Sequence, residues 1–323
     1  MEKDYVIGID LGGQSTKIGI VDRMGSIIAQ NSMKYSKQDP KQYNEEDAEE
    51  FMKDLCAAIK TLIDKVGMEK IKGIGIGAPN GNYYSGTIED AANLPWAKGK
   101  KIELAKTVSN YFEGLSVTVT NDANAAAVGE MTYGAAKGMK NFIEITLGTG
   151  VGSGIVINGE VVYGNDGFAG ELGHTCAIKD NGRNCNCGKV GCLETYCSAI
   201  GVARTAREWL EVTDEPSLLR DLSNITSKEV YEAAKKGDEL SIKIFDFTAK
   251  ILGRQFADFV AFSAPQAIIL FGGLTHAKEF LVKKIKKYMD DELLSVWRGK
   301  VQIIVSSLKE SDAAILGAAS LAW

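Results

Sequence analysis

The sequence predicts an α/β protein of two domains built on a duplicated three-stranded unit. A strand, a glycine-rich turn, a strand, a second turn and a third strand occur near the start of the chain and recur about 137 residues later. Such a recurrence indicates the internal duplication of one supersecondary unit. Apolar segments with strand and helix periodicity follow one another through the rest of the chain. A length of 323 residues suits about two domains.

The first copy of the repeated unit carries two glycines, Gly12 and Gly13, in its first turn. Two interpretations of this turn remain open: a simple hairpin, or a loop whose glycines let the backbone approach a phosphate closely. In the second interpretation Asp10, at the end of the first strand, faces the metal on that phosphate. The predicted strands of this copy are residues 4–10, 16–22 and 26–32.

An aspartate follows the last strand before the second copy of the unit. Asp122 comes directly after the strand at residues 116–120 and before an alanine-rich helix predicted at residues 124–137. It either caps that helix or serves as a reactive carboxylate at the edge of a cleft, near the positive end of the helix dipole. The other elements predicted between the two copies are helices at residues 46–66 and 101–112 and a strand at residues 71–77.

The second copy of the unit places Gly148, Thr149 and Gly150 between two strands. A dinucleotide-binding glycine loop opens a helix instead, so the pattern argues against a Rossmann cofactor site. A third glycine turn, Gly272 and Gly273, follows a buried strand. The predicted strands of this half are residues 141–147, 153–157, 160–163, 265–271 and 301–306, and its helices are residues 198–211, 227–237, 240–262 and 276–292, with a small-residue helix at 312–321 closing the chain.

One Gly-rich segment carries a histidine and three cysteines with metal-ligand spacing. One imidazole and three thiolates suit a tetrahedral Zn²⁺ with no open position, which is the pattern of a structural site. The flanking carboxylates Glu171 and Glu194 would then be held in place by the metal. The other cysteines, at positions 56, 176 and 197, are interpreted as small buried apolar residues. The proposed ligands are His174, Cys185, Cys187 and Cys192.

The composition is ordinary for a soluble globular protein, with 45% hydrophobic and 24% charged residues. A net charge of −5 and the lack of a basic stripe argue against nucleic acid as a partner. No apolar run approaches the roughly 18 residues of a membrane span, and the first residues lack the pattern of a secretory signal. Clustered cysteines favour metal binding in a reducing compartment, so we expect a cytoplasmic protein without a membrane partner.

Taken together in their order, these motifs resemble the ROK family of bacterial sugar kinases over essentially the whole chain. That resemblance implies an actin-like ATPase (ribonuclease H-like) fold with two domains around a cleft. The expected boundaries are residues 1–120 with 309–323 for a small domain and 121–308 for a large one. The matching motifs are Asp10-Leu-Gly-Gly, Gly77-Ala-Pro, Asn121-Asp-Ala-Asn-Ala, Leu147-Gly-Thr-Gly-Val-Gly-Ser-Gly, Gly170-Glu-Leu-Gly-His, Cys185-x-Cys-Gly-x-x-Gly-Cys-x-Glu, Phe271-Gly-Gly and Asp312-Ala-Ala-Ile-Leu-Gly.

The resemblance also implies a role for each site residue. Asp122 is expected to be the general base for the attacking sugar hydroxyl, usually the 6-OH, with ATP and Mg²⁺ as cosubstrates and Asp10 orienting the water shell of the Mg²⁺. Structural Zn²⁺ is expected on the histidine and the three cysteines, and the protein is expected to be a homodimer. ATP is expected to contact Gly12, Gly13, Gly148, Thr149, Gly150, Gly272 and Gly273, and the sugar to contact Asn121, Glu171, His174 and Glu194.

Three alternatives stay open at this point. Glucose is the first choice of sugar, but fructose, mannose, allose and N-acetylhexosamines remain candidates. A sugar-sensing regulator of the same family is disfavoured because it would need a helix-turn-helix segment before the first strand. A zinc-stabilised binding or redox module without kinase activity is the third.

Gln14 departs from the family pattern, which has threonine there; Ser15, Thr16 and the backbone amides are alternative sources of the missing phosphate contact.

Overall fold

A computed structural model describes residues 3–13, 15–33, 44 and 47–323 of the chain. The chain forms two compact units. The first unit comprises Met1–Gly138, Val161–Gly170 and Ser307–Trp323, and the second comprises Met139–Glu160 and Glu171–Ser306. In the described parts of the chain, no helix is both long enough and apolar enough to cross a membrane.

Strands and helices alternate along both units. The strands are β1 Tyr5–Leu11, β2 Thr16–Asp22, β3 Ile27–Ser32, β4 Ile71–Gly77, β5 Gly81–Asn82, β6 Thr87–Glu89, β7 Lys101–Ile102, β8 Ser116–Thr120, β9 Phe142–Leu147, β10 Val151–Ile157, β11 Glu160–Val161, β12 Ala267–Phe271 and β13 Gln302–Val305. The helices are α1 Ala48–Val66, α2 Leu104–Tyr111, α3 Asp122–Thr132, α4 Glu194–Cys197, α5 Ala199–Val212, α6 Ser227–Lys235, α7 Glu239–Ser263, α8 Lys283–Glu292 and α9 Ala313–Ser320.

Each unit contains a five-stranded sheet, and the two sheets have the same topology. The first has the order β3-β2-β1-β4-β8 and the second β11-β10-β9-β12-β13. In both, an antiparallel meander continues into two parallel strands. This shared order is what the predicted duplication of the meander requires. A small antiparallel sheet, β5-β6-β7, was not predicted, because strands of two or three residues are too short to show a period.

Glycine allows helices to pack unusually close to the first sheet. A Cβ atom at Gly8 would lie 2.1 Å from the Ile315 carbonyl oxygen, and one at Gly75 would lie 1.9 Å from that of Ala318. Both contacts are with α9, which is rich in small residues. The same helix packs extensively against α3. Asp122, at the junction of β8 and α3, therefore lies on a helix that packs closely against α9.

The compact units differ from the domain boundaries expected from the sequence. Helix α3 and the segment Val161–Gly170 belong to the first unit, although the expected large domain began at residue 121. The ring of Tyr83 stacks on that of Tyr163 at 3.9 Å, and the Asn82 side chain donates to the Asp166 carbonyl at 2.7 Å. These contacts fasten the segment to the first unit. Contacts of this kind join residues about eighty positions apart and leave no periodic signal in the sequence.

Candidate functional site

In the first unit, the proposed catalytic residues lie at the carboxyl edge of three parallel strands. Asp10 pairs with Gly77 across β1 and β4, and Gly77 pairs with Thr120 across β4 and β8. The ends of the three strands are therefore adjacent, and Asp122 follows the last of them. Ligands of open α/β sheets commonly bind at this edge.

Asn121 rather than Asp122 occupies the N-cap position of α3. Its Oδ1 accepts a hydrogen bond from the Ala123 backbone N–H at 2.8 Å. Asp122 Oδ1 also accepts from that N–H, at 2.9 Å, but Asp122 is the first residue of the helix and is exposed to solvent. The cap is thus supplied by the neighbouring residue, and the second carboxylate oxygen of Asp122 remains available for chemistry. The capping role of Asn121 was not predicted, although Asn is among the residues preferred there.

Two neighbouring carboxyl groups at this edge have raised pKa values. Burial, together with the charge of Asp122, raises the pKa of Asp10 to about 6, against an opposing effect from Lys17. Protein atoms surrounding Asp122 also desolvate its carboxyl group and raise its pKa, and the Ala123 amide only partly offsets this. Asp122 as a whole residue is nevertheless exposed to solvent. A carboxylate with a raised pKa is a stronger base than an ordinary aspartate and suits proton abstraction.

The raised pKa of Asp10 predicts that its charge costs stability. The carboxyl is protonated in both the folded and unfolded states below about pH 4, so the cost appears as the pH rises from about 4 to about 6 and persists above. Asp10→Asn should therefore increase the free energy of unfolding at pH 7 by up to about 3 kcal/mol and change it little at pH 4. Urea unfolding without nucleotide or Mg²⁺ at both pH values measures this. Equal effects at the two pH values would contradict the assignment.

The first glycine turn closes on itself and packs against a neighbouring loop. The Gly12 N–H donates to the Ser15 carbonyl at 3.0 Å. A Cβ atom at Gly13 would lie 2.5 Å from the Asn93 carbonyl oxygen, so only glycine fits there. Of the alternative hydroxyls, that of Ser15 belongs to an exposed residue whereas Thr16 is fully buried. Gln14 lies outside the described residues.

In the second unit, the two remaining glycine turns touch one another. Residues 148–150, which are predicted to contact the ATP phosphates, are called the phosphate turn; its Gly148 N–H donates to the Gly150 carbonyl at 3.1 Å. Gly272 has a φ of 101° and lies so close to β9 that a Cβ atom would be 2.6 Å from the Leu147 carbonyl oxygen. A side chain at Gly272 would therefore be both strained and in collision. The third glycine turn therefore packs against the residue that precedes the phosphate turn, where Gly148 and Thr149 are exposed. Exposed backbone N–H groups of such turns can bind phosphate.

A cavity of about 330 Å³ adjoins the third glycine turn. It is lined by Gly273, by Tyr231 and Glu232 of α6, and by His276. His276 Nδ1 lies 2.9 Å from the Gly273 carbonyl oxygen and its ring is exposed. Sequence reasoning assigned His276 no role, because Tyr231 and Glu232 in the same cavity lie on a helix some forty-five residues earlier.

The predicted metal ligands form one compact group in the second unit. The ligand atoms of His174, Cys185, Cys187 and Cys192 all lie within 4.8 Å of one another. The Sγ atoms of Cys187 and Cys192 are 3.7 Å apart, and His174 Nδ1 is 3.7 Å from Cys185 Sγ. Tetrahedral coordination with zinc–sulfur bonds of about 2.3 Å places neighbouring sulfur atoms about 3.8 Å apart. The donor set and its spacing therefore fit a four-coordinate metal ion.

The chemistry of the thiols also fits a cation at this position. Burial raises the pKa of Cys192 to about 12, so this thiol would ionise near neutral pH only beside a positive charge. Because Nδ1 of His174 lies on the side of the thiols, Nε2 is the ring nitrogen left for another partner. His174 follows Glu171 in a short 3₁₀ turn, Leu172–His174, and its N–H donates to the Glu171 carbonyl at 3.1 Å.

A buried arginine fastens the loop that carries the predicted metal ligands to the helices behind it. Arg183, 8% exposed, donates to the Thr195 carbonyl at 2.7 Å, to Thr205 Oγ1 at 2.9 Å and to Glu208. Its own carbonyl accepts from the Gly191 N–H at 2.8 Å, next to the last cysteine ligand. The loop is therefore anchored from both the side chain and the backbone of one residue. Sequence reasoning did not single out Arg183.

The two sugar-binding glutamates expected from the sequence have different surroundings. Glu171 is exposed at the start of the second unit. Glu194 begins α4 and its Oε2 accepts a hydrogen bond from the Val151 N–H at 2.9 Å. The structure brings Glu194 against the phosphate turn, a contact that the sequence did not reveal. Asp10, Asn121 and Asp122 lie together in the first unit, and the remaining predicted residues, apart from the first glycine turn, lie in the second.

The chain combines a duplicated sheet, glycine turns at strand ends and the neighbouring carboxyl groups of Asp10 and Asp122. These are features of the actin-like ATPase class of α/β proteins. The comparisons confirm the predicted fold class. A profile of the ROK family matches residues 6–323. The chain belongs to the ROK family.

Relatives within this family include both kinases and repressors. A glucokinase of Halalkalibacterium halodurans is 35% identical over 98% of this chain and 94% of its own length. The crystal structure of a ROK family glucokinase from Streptomyces griseus in complex with glucose and AMPPNP superposes with a TM-score of 0.78, at 32% identity and 98% coverage of both chains. A xylose repressor of Caldicellulosiruptor bescii is 29% identical over 97% of this chain but 76% of its own length.

Proposed function

We propose that this protein is an ATP-dependent hexose kinase that converts D-glucose and ATP to D-glucose 6-phosphate and ADP. The observation that carries the proposal is the solvent-exposed Asp122, whose carboxyl pKa is raised and which lies beside Asp10 at the carboxyl edge of the sheet. Similarity to glucokinases along the whole chain supports glucose as the sugar.

The proposed role of Asp122 is that of general base. Its carboxylate takes the proton of the sugar 6-OH while the hydroxyl oxygen forms a bond to the γ-phosphorus of ATP and the bond to the β,γ-bridging oxygen breaks. Phosphoryl transfer depends mainly on positioning and charge stabilisation, so little covalent chemistry is asked of the protein. Asn121 retains its side-chain NH₂ as a donor to the sugar, because the capping contact uses only its Oδ1.

The proposed nucleotide contacts involve the glycine turns. Gly12 and Gly13 and the phosphate turn are assigned to the phosphates through backbone N–H groups, and Gly272 and Gly273 to the adenosine. The cavity of about 330 Å³ beside Gly273 supports this assignment. Mg²⁺ bound to the phosphates would favour the charged form of Asp10, whose proposed role is to orient the water shell of that ion.

His174, Cys185, Cys187 and Cys192, together called the metal group, are proposed to form a structural Zn²⁺ site. Bound zinc would supply rigidity to the loop and no reaction step, since all four ligands come from the protein. The chain's own residues then bind the sugar: Glu171 and Glu194 accept hydrogen bonds from its hydroxyls, and His174 uses Nε2. A homodimer is likewise a proposal, tested by light scattering of the purified protein.

A panel of hexoses in a coupled assay of ADP release tests the proposed function. The protein, ATP and Mg²⁺ are incubated with glucose, fructose, mannose, allose and N-acetylglucosamine in turn. We expect the highest kcat/KM with glucose and a product phosphorylated at the 6-position. Higher kcat/KM with another sugar would correct the substrate, and absence of ADP release with every sugar would contradict the kinase proposal.

The similarity to repressors makes a sugar-binding protein without catalysis the second candidate. The two candidates differ in one measurement. A regulator would bind glucose in calorimetry and yet release no ADP above the background of the buffer. A kinase would do both, and the carboxylate arrangement around Asp122 favours this outcome.

A further inference from the structure

Glu194 links the metal loop to the phosphate turn. It lies two residues after the ligand Cys192, and its Oε2 accepts from the Val151 N–H at 2.9 Å. The same oxygen approaches Gly150 so closely that a Cβ atom there would be 2.3 Å away. A carboxylate assigned to the sugar is thus also bonded to the end of the turn assigned to the nucleotide phosphates.

Two further contacts connect the same turn to the residues around the metal group. A Cβ atom at Gly173, the neighbour of His174, would lie 2.0 Å from the Val151 carbonyl oxygen, so that segment packs directly on the strand leaving the turn. The Ala199 N–H donates to the Gly148 carbonyl at 2.8 Å from the start of α5. The turn is therefore held at both ends by segments that flank metal ligands.

These hydrogen bonds determine which backbone N–H groups of the phosphate turn can donate to a ligand. The N–H groups of Gly148 and Val151 are engaged within the protein, so those of Thr149 and Gly150 are the turn's donors to a phosphate. A carboxylate can accept about four hydrogen bonds. Glu194 can accordingly hold Val151 and a sugar hydroxyl at the same time.

We propose that Glu194 is a positioning residue for the phosphate turn, and that the metal group acts through it on nucleotide affinity even when no sugar is bound. This inference rests on the proposed kinase function, and it extends the metal's role from the sugar to the nucleotide. Loss of the Glu194 contact frees the Val151 N–H. The phosphate turn can then leave the conformation in which the Thr149 and Gly150 N–H groups donate to a phosphate.

Calorimetric titration with AMPPNP and Mg²⁺ in the absence of sugar tests the proposal. Glu194→Ala should weaken AMPPNP binding about tenfold, the size of effect expected for one hydrogen bond to a charged group. Glu194→Gln should restore most of the affinity, because its amide oxygen still accepts from Val151. Wild-type protein stripped of metal by a chelator should bind AMPPNP about as weakly as Glu194→Ala.

Glu171→Ala is the matched control, since it removes the other glutamate assigned to the sugar. It should weaken glucose binding and leave AMPPNP binding unchanged. Unchanged AMPPNP affinity in Glu194→Ala, or an equal loss in Glu171→Ala, would overturn the proposal. If Glu194→Ala does not fold, the comparison of metal-loaded and metal-free wild type decides, and equal affinities overturn the proposal. A wild type that binds no AMPPNP would instead contradict the kinase function, so the two failures are distinguishable.

Discussion

Replacing Asp122 by asparagine should lower kcat by roughly 10²–10⁴, the range attributed to general base catalysis. Asparagine has nearly the same shape as aspartate, and its Oδ1 can still accept from the Ala123 N–H as Asp122 does at 2.9 Å. What is lost is the ability to take a proton from the sugar hydroxyl. The initial rate of ADP release at saturating glucose and ATP measures the effect.

Binding measurements separate the loss of the base from a loss of structure. Asp122→Asn should bind glucose and AMPPNP within a few-fold of wild type and should be no less stable, because desolvation penalises the aspartate charge. Asp64→Asn is the control for removing a carboxylate: Asp64 is exposed, pairs with Lys60 on α1, and should leave turnover unchanged. An Asp122→Asn protein with near wild-type turnover would refute the base assignment.

The sequence predicts the bounds of several strands of this fold to the residue. Strands β2, β4 and β8 have the predicted bounds, and each lies between clear turn signals. Helix ends are predicted less well. Helix α3 begins at Asp122 and ends at Thr132 rather than running from 124 to 137, since its alanines give no period and its cap is Asn121. Similarly, α6 begins at Ser227 as predicted but ends at Lys235 rather than at residue 237, and its capping box of Thr226 and Glu229 was not predicted.

Some features of the candidate site can likewise be predicted from the sequence, and others cannot. The clustering of the four predicted metal ligands is predictable because they fall within nineteen residues and their chemistry is restrictive. The bond from Glu194 to Val151 and the cavity beside His276 are not, because each joins elements about forty or more residues apart through contacts that any polar residues can make. Residue type thus indicates the chemistry, whereas the couplings between functional groups appear only in the folded chain.

Replacing Cys187 by serine should abolish metal binding and weaken both the fold of the second unit and its affinity for glucose. Cys187 is the exposed member of the ligand group, so its substitution leaves the apolar core intact and reports on the metal itself. We expect the polar, glycine-rich loop around Cys187 to depend on a bound metal for its shape. We expect metal content to fall from about one ion per chain to near zero and Tm to fall by about 5–10 °C. Misplacement of Glu194 and His174 should lower kcat/KM for glucose by about 10²-fold.

Cys176→Ser provides a control within the same loop. Cys176 is also exposed, so its interpretation as a buried apolar residue is wrong, whereas Cys56 and Cys197 are buried as expected. The Cys176 Sγ approaches the Val190 carbonyl at 3.9 Å, but Cys176 is not part of the ligand group. This variant should keep its metal, its Tm and its kcat/KM. For both variants, elemental analysis measures metal content, thermal unfolding measures Tm, and the ADP-release assay measures kcat/KM. Full metal content in Cys187→Ser would transfer the ligand role to another residue, and an equal loss of metal in both variants would show that the loop, rather than the Cys187 thiolate, had been disturbed.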